Sequence, residues 1–489
     1  MRPSKIVLRT GLQPRASGRF SFLEFFVTTS SASSDDGHPN ISRKALVSWA
    51  LFDWAAQPFF TLVTTFVFAP YFASSLAATP AEGQTLWGYA TAAAGLAIAL
   101  LAPILGAVAD ATGHRKPWIL AFSIPFVLAC FALWFAMPES ENAILIALVA
   151  FGFATLAIEF TTVFNNAMMP DLVPPNRIGR LSGAGWATGY AGGLVSLVIA
   201  LGFMATSPET GLTLLGLDPI FGLEAATREG DRASGPFSAI WYIVFVLPLF
   251  LFVPDVPKKS SLGPAIRNGL ANLKDSLAHA RQNRPVFLFL LANMIYKDGL
   301  VALFAFGGIY SAGQLGWGTI QIGIFGILLT ITGTFGAIIG GRLDDRFGPK
   351  LVLMGALSLL IVCGLGLVSV DRNTILFIVP APPATDGTLF GSLPEQMFLV
   401  LGGLIGVAAG PLQSASRSLL VRLAPREQLA QFFGLLALSG KVTSFLAPLT
   451  VSLVTYLTNS QAAGMSAILA FFIFGCLVLT RVRQPKVGP

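Results

Sequence analysis

Twelve separate runs of about twenty apolar residues, the length an α-helix needs to cross the hydrocarbon of a bilayer, constrain this 489-residue chain more than any other feature. They fall at 46–73, 84–109, 117–138, 142–169, 181–206 and 236–253, then at 286–312, 319–341, 350–370, 395–420, 431–457 and 463–480. Continuous runs of this length satisfy their own backbone in lipid only as helices. Charged side chains make up 11% of the chain, against roughly 25% in soluble domains. A water-soluble fold is excluded, and an all-α membrane protein of 12 transmembrane helices is expected.

A short turn occurs twice, at the same place in each set of six runs. The first copy is Gly106-Ala-Val-Ala-Asp110-Ala-Thr-Gly113-His-Arg115-Lys116; the second is Gly341-Arg-Leu-Asp-Asp345-Arg346-Phe-Gly348-Pro-Lys350. Both read Gly-x-x-x-Asp-x-x-Gly followed by base, and each joins the second and third run of its set. The duplication predicts two six-helix pseudo-symmetric bundles, residues 45–253 and 285–480. A linker at 254–284 carries a short amphipathic helix lying on the membrane surface, and tails occupy 1–44 and 481–489.

Lys and Arg set the orientation. They concentrate in the tail up to Lys44, in Arg115–Arg180, in Lys258–Arg284, in the segments from Arg342 to Arg426 and after Thr480, whereas Arg228, Arg232 and Arg372 fall on the opposite side. Both termini are therefore expected in the cytoplasm. The net charge of +7 is spread between apolar runs, which argues against a nucleic-acid partner. The Arg- and Ser-rich first 44 residues have no apolar core of a secretory signal. They read as a disordered cytoplasmic tail or a start assigned too early, and a bacterial inner membrane is the expected location. Cys130, Cys363 and Cys476 sit inside apolar runs without metal-type spacing, so neither metal nor cofactor is expected.

Five ionisable residues fall within the spans: Asp53, Glu159, Lys297, Asp298 and Lys441. A charge at mid-membrane costs about 3 kcal/mol on insertion scales, so such residues face a cavity or a partner. Asp53, Gln57, Thr61 and Thr64 form one polar stripe in the first span; Glu159, Thr162 and Asn166 form another in the fourth; Gln413 and Arg417 lie one turn apart in the tenth. Three inward stripes imply a shared polar interior. Lys297 and Asp298 are adjacent, about 100° apart around the helix, so each needs a partner elsewhere; Asp53 is the expected partner of Lys297. The candidate cavity set is Asp53, Gln57, Glu159, Asn166, Lys297, Asp298, Gln413, Arg417 and Lys441. Of these, Asp53, Glu159 or Asp298 would respond to protons, while Lys297, Arg417 and Lys441 could hold a carboxylate. Gly183, Gly185, Gly189, Gly192 and Gly193 in the fifth run allow close helix approach.

A nucleotide-driven pump finds no support: Gly434 to Gly440-Lys441 has the wrong interval, continues in Val442 and lies within a span. The three histidines, His38, His114 and His279, lie in the tail or loops, so enzyme chemistry is not expected. A lipid scramblase or a membrane-embedded transferase are the alternatives of other classes.

The paired turns resemble the signature of the major facilitator superfamily, with Ala111 departing where that family often has a base. Ser48-Trp49-Ala-Leu-Phe52-Asp53-Trp54-Ala55, Tyr296-Lys297-Asp298-Gly299, Gln413-Ser-Ala-Ser416-Arg417 and Ser439-Gly440-Lys441 are similar to its vacuolar-effluxer-like branch, named for autophagy-related yeast exporters that release amino acids from the vacuole. The resemblance covers residues 45–480. It implies the major facilitator fold and alternating access of a small polar solute, amino acids among the candidates, by a proton-coupled monomer. It also implies that Gly106, Asp110, Gly113, Arg115 and Lys116, with Gly341, Asp345, Arg346, Gly348 and Lys350, form gating turns whose acids and bases latch the cytoplasmic gate.

Overall fold

The computed structural model describes residues 41–483 except 113, 139, 174–177, 208–209, 256, 258–277, 279–280, 384–387 and 425–428; the side chains of some helical residues, Asp110 and Asp345 among them, also lie outside the described set. Most of the tail, the linker helix and the last six residues of the chain therefore fall outside it as well. Among the described residues, 12 helices are long and apolar enough to span a membrane. They are α1 Arg43–Leu76, α2 Pro80–Thr112, α3 Lys116–Phe135, α4 Ala143–Ala167, α5 Ile178–Phe203 and α6 Glu229–Phe252, followed by α7 Arg284–Leu315, α8 Thr319–Phe347, α9 Pro349–Val368, α10 Leu393–Leu423, the broken α11 (α11a Leu429–Val442 and α11b Leu446–Thr458) and α12 Gln461–Thr480.

Packing repeats with a shift of six helices. In the first half α1 packs on α5 and α6, α2 on α4, and α3 on α4 and α6; in the second, α7 packs on α11 and α12, α8 on α10, and α9 on α10 and α12. Between halves, α2 meets α11 and α5 meets α8, a pair of contacts that the same shift exchanges. Even helix counts in each half put the start of α1 and the end of α12 at one end of the bundle, here the terminal end; the opposite end is the far end.

Proline sets the local irregularities. Pro58 has no N–H to give to the carbonyl four residues back, and the Trp54 carbonyl instead accepts a hydrogen bond from Trp241 Nε1 at 3.0 Å. Beyond Pro58 the first span widens into a π-helical segment, Phe59–Phe66. The eleventh run, where Pro448 permits a bend, is interrupted at residues 443–445. Pro448 leaves the Ser444 carbonyl without its helical donor, and the two parts part company there. At the far end of the second half, a two-stranded hairpin, β1 Thr374–Ile375 with β2 Val379–Pro380, closes the loop before α10.

Candidate functional site

The polar stripe of α1 lies on a bed of glycines. Asp53, Gln57 and Thr61 recur every fourth residue, as do Gly185, Gly189 and Gly193 on α5. A Cβ at Gly185 would run into Asp53 Oδ2; one at Gly189 would meet Asp53 Cβ at 3.3 Å, and one at Gly193 would meet Gln57 Cγ at 2.8 Å. The small-residue pattern thus brings α5 against the carboxylate stripe with no side chain between them. Thr65 continues the row farther along, bonding the Phe60 carbonyl at 2.9 Å.

Opposite these residues the second half supplies bases. Glu159 of α4 forms an ion pair with Lys441 of α11a. Lys297 of α7 lies across Gly440, with Nζ 2.7 Å from where a Cβ would stand. Arg417 of α10 is the cation acting on Asp53. The expected Asp53–Lys297 pair is therefore not formed: Lys297 instead shares the field of Glu159, Lys441 and Arg417. Helical spacing fixes the face a side chain takes; it does not fix which helix comes opposite. The result is one layer between the halves, acids from the first and bases from the second, with three cations on two carboxylates.

Other candidates are distributed around that layer. Gln413 Nε2 donates to the Tyr190 hydroxyl at 3.3 Å across the halves. Tyr190 is 39% and its neighbour Trp186 46% exposed, so neither ring is sealed into the packed core. Asp298 is turned away from Lys297, as the 100° step requires, and accepts the Ala447 N–H at 3.2 Å where α11b begins. Asn166 is exposed, whereas Asn165 beside it is fully buried. The Asn165 carbonyl accepts Trp49 Nε1 at 2.9 Å, and its side-chain amide has no partner among the described residues. The sequence stripe missed Asn165 because a step of three from Thr162 points as well inward as a step of four.

The far end is tied shut across the halves. Gln84 of α2 donates to Thr455 Oγ1 of α11b at 2.7 Å and to the Gln461 carbonyl at 3.3 Å, while Gln461 reaches the Pro80 carbonyl at 2.9 Å. Arg228 bonds Asp231 at 2.6 Å, Ser75 at 3.1 Å and Thr319 of α8 at 3.1 Å. Burial works against the Arg228 charge, but the Asp231 carboxylate outweighs it and holds the guanidinium pKa above the usual arginine value.

At the terminal end the two turns make equivalent ties, each within its own half. Arg115, which is buried, pairs with Asp171 after α4, and its backbone N–H donates to Asp255 at 3.0 Å. Lys116 Nζ reaches the Phe250 carbonyl near the end of α6 at 2.9 Å. In the second copy, Lys350 Nζ reaches the Thr480 and Val482 carbonyls at the end of α12, at 2.9 and 2.7 Å. Both lysines thereby satisfy carbonyls that a helix terminus leaves unbonded. Asp344 pairs with Arg422 of α10 at 3.2 Å, and Arg346 stacks over Phe347. Gly348 takes φ +85°, a conformation that L side chains rarely adopt, so the turn into Pro349 needs glycine. Gly106 and Gly341 lie within α2 and α8; Gly113 and the Asp110 and Asp345 side chains lie outside the described residues.

Comparison with known proteins agrees with this architecture. The family described as "Vacuole effluxer Atg22 like" matches residues 84–487. The "Uncharacterized MFS-type transporter YxiO" of Bacillus subtilis (strain 168) is 25% identical over 89% of this chain and 94% of its own length. "Autophagy-related protein 22" of Kluyveromyces lactis is 25% identical over 46% of this chain, and the match spans only 45% of that relative. Among solved structures, a D-xylose-proton symporter superposes with a TM-score of 0.60 at 11% identity, over 91% of this chain and 97% of the other.

Proposed function

The chain belongs to the vacuole effluxer Atg22-like family of major-facilitator transporters, and from that premise we propose that it moves a small polar organic solute by alternating access, with amino acids as the leading class and protons as the coupling ion. It is an integral membrane transporter and not an enzyme. One observation carries the proposal. Acids from one half face bases from the other in a single layer, so every opening of the interface must separate opposite charges or exchange their partners. A solute carrying a carboxylate and an ammonium group offers a partner to each side. Its carboxylate would sit among Arg417, Lys297 and Lys441, and its ammonium beside Asp53, with Gln57 and Gln413 orienting the polar remainder. The excess of bases favours a net acceptor, that is, a carboxylate-bearing molecule.

In this reading the gating turns set which end opens, the termini face the cytoplasm of a bacterium, and the working unit is a monomer. The halves, residues 45–253 and 285–480, move as units joined by the 254–284 segment. The test is uptake into reconstituted vesicles of a labelled amino-acid mixture under an imposed pH gradient. Accumulation lost in Glu159→Gln and in Lys441→Met, with both proteins still folded, supports the assignment; full accumulation in either variant refutes it.

A further inference from the structure

The break in α11 lies beside a buried carboxyl group, that of Asp298. Asp298 is 3% exposed. Its Oδ2 accepts the Ala447 N–H, while Oδ1 on the same carboxyl group has no partner among the described residues. The hydroxyl of Thr443, in the link between α11a and α11b, is likewise buried and without a partner among them. The charged groups nearest to it along the surrounding helices are engaged elsewhere. Lys441 is paired with Glu159, Arg417 acts on Asp53 and Tyr190, and Tyr296 on α7 itself bonds Ser416 at 2.7 Å. Lys297 points to the charged layer, Cys476 is the titratable residue of α12, and Glu82 of α2 lies at the far end bonding the Ala78 N–H. Among the described residues, the hydrogen bond to Asp298 comes from the amide of Ala447.

A carboxylate anion buried with a single neutral donor is strongly disfavoured. The N-terminus of α11b offsets about half an elementary charge and leaves the rest uncompensated. We infer that the α11 break is a binding site for one small monovalent cation, a proton or a sodium ion, with Asp298 Oδ1 as its principal ligand and the Thr443 hydroxyl as a second. This deepens the transporter reading, because it locates the coupling ion outside the charged layer that meets the solute. The cation ties the start of α11b to α7. Thr455 lies eight residues beyond Ala447, about 12 Å along the helix at 1.5 Å per residue, and there accepts the Gln84 bond that closes the far end. Loading the site holds that closure in place; emptying it frees α11b to pivot at residues 443–445.

The site can be tested without knowing the solute. In purified protein, the thermal unfolding midpoint is compared between sodium and choline chloride at fixed pH, and between acidic and alkaline buffer without sodium. Asp298→Asn keeps an acceptor for the Ala447 N–H and removes the charge. A cation-dependent shift in the natural protein that disappears in this variant supports the site; the sodium arm or the acid arm identifies the ion. Carbodiimide labelling read by mass spectrometry gives a check on the unmutated chain. Modification of Asp298 that falls on sodium addition, or on alkalinisation, supports the site; modification indifferent to both overturns it, as does an Asp298→Asn variant that keeps the full response. If the site holds and vesicles still show no gradient-driven uptake of solute, it is the transport reading that fails.

Discussion

The two halves share a scaffold and differ in what they place on it. In the first, α1 and α5 meet through glycine, and the charges aimed at the interface are acids, Asp53 and Glu159. In the second, the equivalent helices are α7 and the broken α11, and the charges are the bases Lys297 and Lys441, joined by Arg417. Duplicated backbones thus carry complementary charges. The layer between them exists only because the copies diverged, and neither half alone could balance its own buried charges.

The most severe way to break this comparison is to remove one member of the Glu159–Lys441 pair. Deleting one partner of a buried pair costs about 3 kcal/mol or more, whereas replacing both is far milder. Lys441 is a third exposed, which places the expected loss toward the lower part of that range. Glu159→Gln and Lys441→Met should each lower the unfolding midpoint, and the double variant should recover part of the loss. Strict additivity in this cycle would show that the pair is not a unit.

Next in size is the glycine bed. Gly185→Leu must push Asp53 off α5, and overpacking of this kind costs about 1–3 kcal/mol. The same change at Gly152, where a Cβ meets nothing within 4 Å, should be silent in the same melting assay. The two turns provide a third comparison. The Arg115 side chain is 5% exposed and that of Arg422 37%, so Arg115→Met should destabilise clearly more than Arg422→Met, whose loss should be under about 1 kcal/mol. Equal effects would deny that the two copies differ in burial.

The smallest expected effect lies in the outer hairpin. Asp371 accepts hydrogen bonds from Asn373 N at 2.7 Å and Thr374 N at 2.8 Å. Partial burial alone would raise its pKa; these bonds outweigh it and hold the carboxyl below the usual aspartate value. Its contribution is therefore complete above the unfolded-state pKa of about 3.9 and is lost as pH falls through the lower folded value. Protection of the Asn373 and Thr374 amides, measured against the intrinsic exchange rate at each pH, should fall only in acid, and Asp371→Asn should abolish that acid-dependent loss.

Much of the frame was legible because lipid permits so few solutions. Run length located all twelve spans, and the repeated turn located the halves. What escaped depended on neighbours that one strand of sequence does not name. Asp53 lies against the glycines of α5, yet its cation is Arg417 and not Lys297. In the second turn Asp344, one residue before the motif aspartate, pairs with Arg422 of α10, a contact that the motif does not name. The π-helical turn after Pro58 was also hidden, and Pro448 marks an interruption without naming its form, since a proline leaves open whether the helix bends, widens or parts.

The central claim is that the halves rock about the charged layer, closing one end as the other opens. Spin labels replacing Glu82 and Leu457 at the far end, and Asn166 and Val421 at the terminal end, sit on exposed positions of opposite halves. With the three cysteines replaced, the distance across each end is measured in acidic and alkaline buffer and in the Glu159→Gln background. The account predicts that one distance lengthens whenever the other shortens. Distances that move together, or that stay fixed under every condition, would contradict it.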